Sequence, residues 1–444
     1  MKTLPLLRAA LLTGAVALLP ATTAGLAAVD GRSAGGFERL ETVYRLVRQY
    51  YVEPTDDAKL EEGAIEGMLT SLDPHSSYLS GATMQRLNTM IDGNYSGLGL
   101  SVVMEDGAVK VVAPMRGSPA DAAGVKAGDY ITHLDGKLIY GGELDDAVAQ
   151  MRGEAGTKIR LTLFRPGRDA PFDVTVTRGV IKLEAVTWEL KDNVGVITVN
   201  EFSHEIATDV KKGIDDLKRQ SGGKLEGLIL DLRQNPGGEL GEAVGLSDLF
   251  LTQGDIVSQR GRIKSEDEYY KAESVFPGDA AKGLPLIVLI DAGSASASEI
   301  VAGALQDQHR ALIMGERSFG KGSVQSLFFL DRARTSAVKI TTARYYTPLG
   351  RSVQEGGIFP DIRVPQLSDP DSRRRAEMSV RESDLRRHLV NEAGLDDKKL
   401  ETDRQDDPRF RMTPDEIKAK GIKDYQLFYA VQTVHRTAAA GKRR

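Results

Sequence analysis

The chain has 444 residues, too long for one compact core, so two to four domains are expected. With 58 Lys and Arg against 63 Asp and Glu the formal net charge is −5, and no basic excess points to nucleic acid as a partner. Cysteine is absent, which excludes disulfides, thiolate metal sites and a cysteine nucleophile, and the 41% hydrophobic and 27% charged fractions are those of an ordinary globular protein.

The N-terminus reads as an export signal. Lys2 and Arg8 precede an apolar run over residues 9–19, and small residues continue to Ala28. The run is short for a membrane span. Cleavage after Ala24, Ala27 or Ala28 satisfies the pattern, and the alternative is an uncleaved, membrane-associated anchor. In both cases the body is expected in a periplasmic or other extracytoplasmic space.

Residues 37–90 are predicted to be helical. Leu40, Val43, Leu46 and Val47 recur at helical spacing, and a second helix over residues 60–72 stops at Asp73-Pro74. From Gly93 the period shortens to strands punctuated by glycine turns, with one helix over residues 143–151; this block ends near Arg178. A larger block follows in which strands at 194–199, 227–232, 284–290, 311–314 and 337–344 alternate with helices at 205–219, 239–249 and 297–308. That alternation predicts an α/β core with crossover connections. The charged tail from Asp369 contains a last helix over residues 424–436, with Leu427, Ala430, Val431 and Val434 on one face, and is expected to pack on another surface such as a second subunit.

Three segments of the core carry candidate chemistry. In Asp291-Ala-Gly-Ser-Ala-Ser-Ala-Ser-Glu-Ile300 a buried strand runs through small residues into a helix, where a hydroxyl can leave the sheet and free helix-start N–H groups can face an oxyanion. Ser294, Ser296 and Ser298 all qualify, and all three also read as helix N-caps. In Gly315-Glu-Arg-Ser-Phe-Gly-Lys-Gly-Ser-Val-Gln325, Lys321 lies between two glycines; burial there would lower its pKa toward that of a general base. The plain reading is an exposed lysine in a turn. A phosphate loop would need Ser or Thr where Gly322 stands. In Asp231-Leu-Arg-Gln-Asn-Pro-Gly-Gly238, adjacent glycine N–H groups at a strand exit could serve an oxyanion. The six histidines are scattered, His75 reads as a turn or capping residue, and no histidine–carboxylate spacing predicts a metal.

Together these segments resemble the three core motifs of the carboxy-terminal processing (tail-specific) proteases. Leu72-Asp-Pro-His-Ser-Ser-Tyr-Leu79, Ala343-Arg-Tyr-Tyr-Thr-Pro-Leu-Gly-Arg-Ser-Val353 and Gly357-Ile-Phe-Pro-Asp-Ile362 extend the resemblance over most of the chain. It implies a multidomain α/β protein with a crotonase-like ββα serine-protease core, an inserted PDZ domain and helical N- and C-terminal regions. It implies Ser296 as nucleophile, Lys321, 25 residues on, as general base, and Gln325 as the residue that orients the lysine. Gly238 and Ala297 are the implied oxyanion donors, with Gly237 close behind because the register of that turn is open.

The block from Tyr95 to Arg178 resembles a PDZ domain, with Gly97-Leu-Gly-Leu100 as its carboxylate-binding loop and Ser118-Pro-Ala-Asp-Ala-Ala-Gly-Val-Lys-Ala-Gly-Asp129 as an inner turn. The expected boundaries are 1–28 for the signal, 29–92 for the helical region, 93–178 for the PDZ domain, 179–366 for the core and 367–444 for the tail. The expected function is a serine endopeptidase that cleaves extracytoplasmic proteins near apolar C-termini bound by the PDZ domain, needs no cofactor, and allows a homo-oligomer, an adaptor protein and PDZ gating. The alternatives are a catalytically inactive PDZ scaffold or adaptor and, from the crotonase-like core, an acyl-CoA enzyme.

Overall fold

A computed structural model describes residues 34–81, 83–84, 94–105, 107–114, 118–140, 144–168, 170–182, 185–272, 278–368, 381–392 and 412–441. The leader expectation lies outside these residues. The chain divides into two units, one of residues up to 85 and from 185 on, the other of residues 86–184.

The first unit is built on a six-stranded sheet in the order Val186–Lys191, Val194–Val199, Gly227–Asp231, Leu286–Ile290, Leu312–Gly315, Ile362–Arg363. The first pair is antiparallel and every later pair parallel. Helices Ile206–Gln220, Leu240–Asp248 and Ala297–Asp307 lie in the connections between the parallel strands, as crossovers require. Leu228, Leu230, Val288 and Ile290 point into a core with these helices, whereas Ile229, Ile287, Leu289 and Met314 pack on the opposite face. Both faces are covered, which explains why these strands lack polar alternation. Burying each such Leu or Ile contributes about 1.5–3 kcal/mol.

The opposite face is covered by the C-terminal helix, Tyr425–Gly441. Leu427, Ala430, Val431 and Val434 are buried there against the sheet. The apolar face of this helix therefore packs on the chain's own core and not on a second subunit. Absence of a side chain at Gly227 makes room for it, since a Cβ there would lie 2.5 Å from Val434 Cγ1.

Helices Ala34–Tyr50 and Asp57–Thr70 form the N-terminal region. The periodic residues Leu40, Val43 and Leu46 remain 42–56% exposed. After them, strand Ser77–Ser80 joins a second sheet centred on the long strand Ser336–Tyr346, which also pairs with Asp255–Gly261 and Ser323–Phe329. No helix of the described residues is long and apolar enough to cross a membrane.

The second unit is an antiparallel sheet, Leu100–Glu105, Ala108–Pro114, Tyr130–Leu134, Lys158–Phe164 and Phe172–Thr177, with Lys137–Leu138 at its side and a core of Val109, Val111, Ile131, Leu161 and Leu163. Strands Asn94–Gly97 and Gly179–Lys182 pair with each other. That pairing brings the two ends of the unit together, the geometry an inserted domain needs.

Candidate active site

Three loops leave the carboxyl ends of neighbouring parallel strands, after Asp231, Ile290 and Gly315. In an open α/β sheet this edge is where ligands bind. The first loop is tied to the second through Asn235, whose carbonyl accepts from Ala295 N–H at 3.0 Å and Ser298 Oγ at 2.9 Å. The third is tied to the second by Phe319 N–H on the Ser294 carbonyl at 3.0 Å.

The three serines part company here. Ser294 and Ser298 are fully buried, and their hydroxyls donate to the carbonyls of Leu232 (2.8 Å) and Asn235 (2.9 Å). Ser296 is only partly buried. It stands before helix Ala297–Asp307 with φ +53° and ψ −110°. A non-glycine residue there carries roughly 1–3 kcal/mol of backbone strain, which the surroundings must hold.

Glu299 holds it. This side chain is fully buried and accepts four hydrogen bonds: Ser318 Oγ (2.6 Å) and Gly320 N–H (2.7 Å) on Oε1, Ser296 N–H (2.7 Å) and Lys321 N–H (3.0 Å) on Oε2. Burial pushes its pKa up to about 7, against the pull of those donors.

Lys321 is fixed through its backbone, while its amine makes no hydrogen bond among the described residues. Burial lowers its pKa, and the charge of Lys339 lowers it further; Glu382, Glu299 and Asp73 act the other way. Gly322 is required because a Cβ there would sit 2.4 Å from Gln354 N, whose side-chain Oε1 accepts Gly322 N–H at 3.0 Å. Gln354 in turn donates to Glu382, which also accepts from the His75 ring at 2.8 Å. The turn expected of His75 is present, with its N–H on Asp73 Oδ1 at 2.9 Å. Gln325 does not reach the Lys321 amine. Its amide donates to Ser323 Oγ (3.0 Å) and Thr341 Oγ1 (3.2 Å).

Of the two candidate glycines, Gly237 uses its N–H on Asn235 Oδ1 at 2.9 Å. The N–H groups of Gly238 and Ala297 have no partner among the described residues. Gly237 lies against the Ser296 turn, where a Cβ would meet Ala295 O at 2.8 Å, Ser296 Cβ at 2.9 Å and Ala297 N at 3.0 Å.

Sequence reasoning missed Glu299, Asp73, Lys339, Gln354 and Glu382. Glu299 had a signal, an acidic residue three positions after a candidate N-cap serine. The others come from segments far apart in the chain and had none. Ligand atoms of His204, Glu239 and Glu242 also gather within 4.8 Å, a grouping the linear spacing did not predict. Both oxygens of Glu242 cap helix Ile206–Gln220, accepting from Glu205 N–H (3.2 Å) and Ile206 N–H (2.9 Å).

In the second unit, Leu98 and Gly99 form a short loop with φ +71° at Gly99. Their carbonyls accept from Ala120 N–H (2.9 Å) and Ser118 Oγ (3.1 Å), and their N–H groups have no partner among the described residues. Gly97 closes the preceding strand and Leu100 opens the next.

Residues 193–364 match peptidase family S41, residues 110–165 a PDZ domain, and residues 22–83 the N-terminal domain of the activating protease CtpB. A carboxy-terminal-processing protease of Bartonella bacilliformis is 45% identical over 352 residues, covering 79% of this chain and 80% of the relative. The carboxy-terminal processing protease CtpA of Bacillus subtilis is 36% identical over 330 residues, covering 74% and 69%. A solved photosystem II D1 C-terminal processing protease is 28% identical with TM-score 0.47, covering 80% of this chain and 94% of that one.

The chain is thus a serine-type peptidase with an α/β core and a PDZ domain. It belongs to the carboxy-terminal processing proteases of peptidase family S41.

Proposed function

We propose that Ser296 is the nucleophile and Lys321 its general base, in a peptidase that works outside the cytoplasm on polypeptides whose free C-termini its PDZ domain binds. The observation that carries this reading is the shared Glu299 oxygen, which fixes the backbone of the one serine of three that is only partly buried and that of a lysine with a lowered pKa. The neutral Lys321 amine takes the Ser296 proton as Oγ attacks the peptide carbonyl. The developing oxyanion accepts from the N–H groups of Gly238 and Ala297. The leaving amine takes the proton from Lys321, and the same lysine then activates water to release the acyl group. Gln325 donates to Thr341, which in turn donates to Asp73, one of the carboxylates that act on Lys321.

In the PDZ domain the N–H groups of Leu98 and Gly99, which have no partner among the described residues, suit a terminal carboxylate, and a peptide strand would add beside Leu100–Glu105. The basic start, apolar centre and small-residue exit of residues 1–28 support export.

The test is cleavage of an unfolded protein bearing either an apolar or a charged C-terminus, by wild type, Ser296→Ala and Lys321→Ala. Both variants are expected to be inactive, and the apolar terminus to be preferred. Activity surviving in Ser296→Ala overturns the nucleophile. Equal cleavage of the two substrates overturns the PDZ role.

A further inference from the structure

The backbone around Lys321 is held from two sides. On one side the buried Glu299 accepts the N–H groups of Gly320 and Lys321 at 2.7 and 3.0 Å. On the other side run Gln354 and Glu355. Gln354 Oε1 accepts Gly322 N–H at 3.0 Å, and Glu355 N–H donates to the Gly320 carbonyl at 2.9 Å. Glu299 belongs to helix Ala297–Asp307 and is anchored by it. Gln354 and Glu355 lie in a turn, and Glu355 adopts a left-handed φ of +62°. A non-glycine residue keeps such a backbone only where its surroundings hold it.

The holding groups come from the charged tail. Glu382 opens the short 3-10 helix Glu382–Asp384 and is fully buried. Its Oε1 accepts the Gln354 side-chain amide at 2.9 Å, and its N–H donates to the Phe319 carbonyl at 3.3 Å. Asn391 Nδ2 donates to the Gln354 carbonyl at 2.7 Å. The Glu355 carboxylate accepts from Asn391 N–H at 2.6 Å and meets the His388 ring at 2.7 Å. Glu382 Oε2 meets the His75 ring at 2.8 Å, in the loop after helix Asp57–Thr70. The Asn391 and His388 contacts fix the backbone of the turn. Glu382 fixes something different, the direction of the Gln354 amide. Such an amide donates at one end and accepts at the other. With its NH2 on a carboxylate, the accepting end is the one left to face Gly322 N–H.

We propose that Glu382 is a positioning residue for Lys321: by orienting the Gln354 amide it fixes the peptide that follows the lysine, and so makes this tail segment part of the active site. The inference rests on the reading of Lys321 as the general base. A lysine amine stands at the end of a long stem, so a small rotation of its own backbone displaces it, and a displacement of about 1 Å can cost up to roughly 100-fold in rate. Charge would act the other way. Glu382 is one of the carboxylates that favour a protonated Lys321, so losing its charge alone would assist the base. Position and charge therefore predict opposite signs.

The experiment follows Ser296 labelling by a fluorophosphonate in wild type, Glu382→Met, Gln354→Met, the double variant and Glu382→Gln. The final extent of labelling counts folded sites, and the rate per labelled site reads the base. Each single methionine variant is expected to lose roughly tenfold or more in rate per site. The double variant is expected to lose no more than the larger single loss, because the two residues act in one chain. Glu382→Gln is expected to recover most of the rate, since its Oε1 can accept from Gln354 while its NH2 donates to a His75 ring nitrogen. A reduced extent of labelling with an unchanged rate per site means a purely structural role and overturns the inference. So do faster labelling in Glu382→Met, additive losses in the double variant, and a Glu382→Gln variant as slow as Glu382→Met. Should Glu382→Met fail to fold, an unchanged rate per site in Gln354→Met overturns it alone. Full activity in Lys321→Ala would instead bring down the base assignment itself, so the two failures are separable.

Discussion

The backbone N–H groups of Ser296 and Lys321 donate to the same oxygen, Oε2 of Glu299, at 2.7 and 3.0 Å. Ser296 and Lys321 lie 25 residues apart on different loops, and one buried carboxylate sets both backbones. Its other oxygen accepts Ser318 Oγ and Gly320 N–H, so all four donors converge on one group, which can accept from all of them when ionised.

Replacing Glu299 by glutamine separates charge from shape. Whichever way the amide is turned, its NH2 faces two donors, and two buried bonds are lost. Each orphaned donor costs about 1–3 kcal/mol. The variant is expected to fold with a lowered Tm and to lose on the order of 100-fold in kcat, with KM little changed, because this residue is fully buried. Circular dichroism and steady-state kinetics check both halves. Unaltered kcat would mean that the shared oxygen does not set the Ser296 geometry.

Gly237→Ala probes the same turn from the other side. A methyl group there meets Ala295 O, Ser296 Cβ and Ala297 N, all within 3.0 Å, at a backbone φ of +104°. Accommodating it moves Ser296 or the Ala297 N–H. The expected result is at least a tenfold fall in kcat together with about 1–3 kcal/mol of destabilisation from backbone strain. Thermal melts and peptide hydrolysis read the two effects.

How far the sequence reaches is clearest in the Ser294-Ala-Ser-Ala-Ser298 stretch. The strand–turn–helix placement is legible from the apolar run ending at Ile290 and the small residues after it. Which serine is free is not, because all three read equally well as caps; the family resemblance selected Ser296, and the geometry supplies a reason. Ser294 and Ser298 spend their hydroxyls on the carbonyls of Leu232 and Asn235, across the gap to a loop some 60 residues away. Glu382 shows the opposite limit. No pattern in the charged tail marks it, and only the fold brings it to Gln354 and His75. The apolar stripe of the C-terminal helix was likewise legible, though its partner was not, since a periodic pattern does not name the surface that covers it.

From that division of roles, Ser294→Ala and Ser298→Ala should each keep the fluorophosphonate-reactive serine, whereas Ser296→Ala should lose it. Removing the Ser294 or Ser298 hydroxyl leaves one buried carbonyl short of a donor and costs about 1–2 kcal/mol, seen as a lower Tm with labelling retained. Loss of labelling in Ser298→Ala with an intact fold would shift the nucleophile assignment.

Lys321 itself should burden the fold. Burial and the Lys339 charge lower its pKa below the ordinary 10.5, whereas the unfolded chain keeps the ordinary value. Between the lowered pKa and 10.5 the unfolded state holds more protons at this site than the folded state, so stability from this group rises with pH across that window. Below the lowered pKa the penalty is present in full, because the folded protein must then hold a charge that burial disfavours. Lys321→Met removes the titration and keeps the stem. The variant is expected to be inactive yet to melt at a higher temperature than wild type at neutral pH, with the gap closing as pH approaches 10.5. Melting curves of the two proteins at a series of pH values test this, and a gap that stays constant or widens with pH would mean that Lys321 is not held neutral by its surroundings.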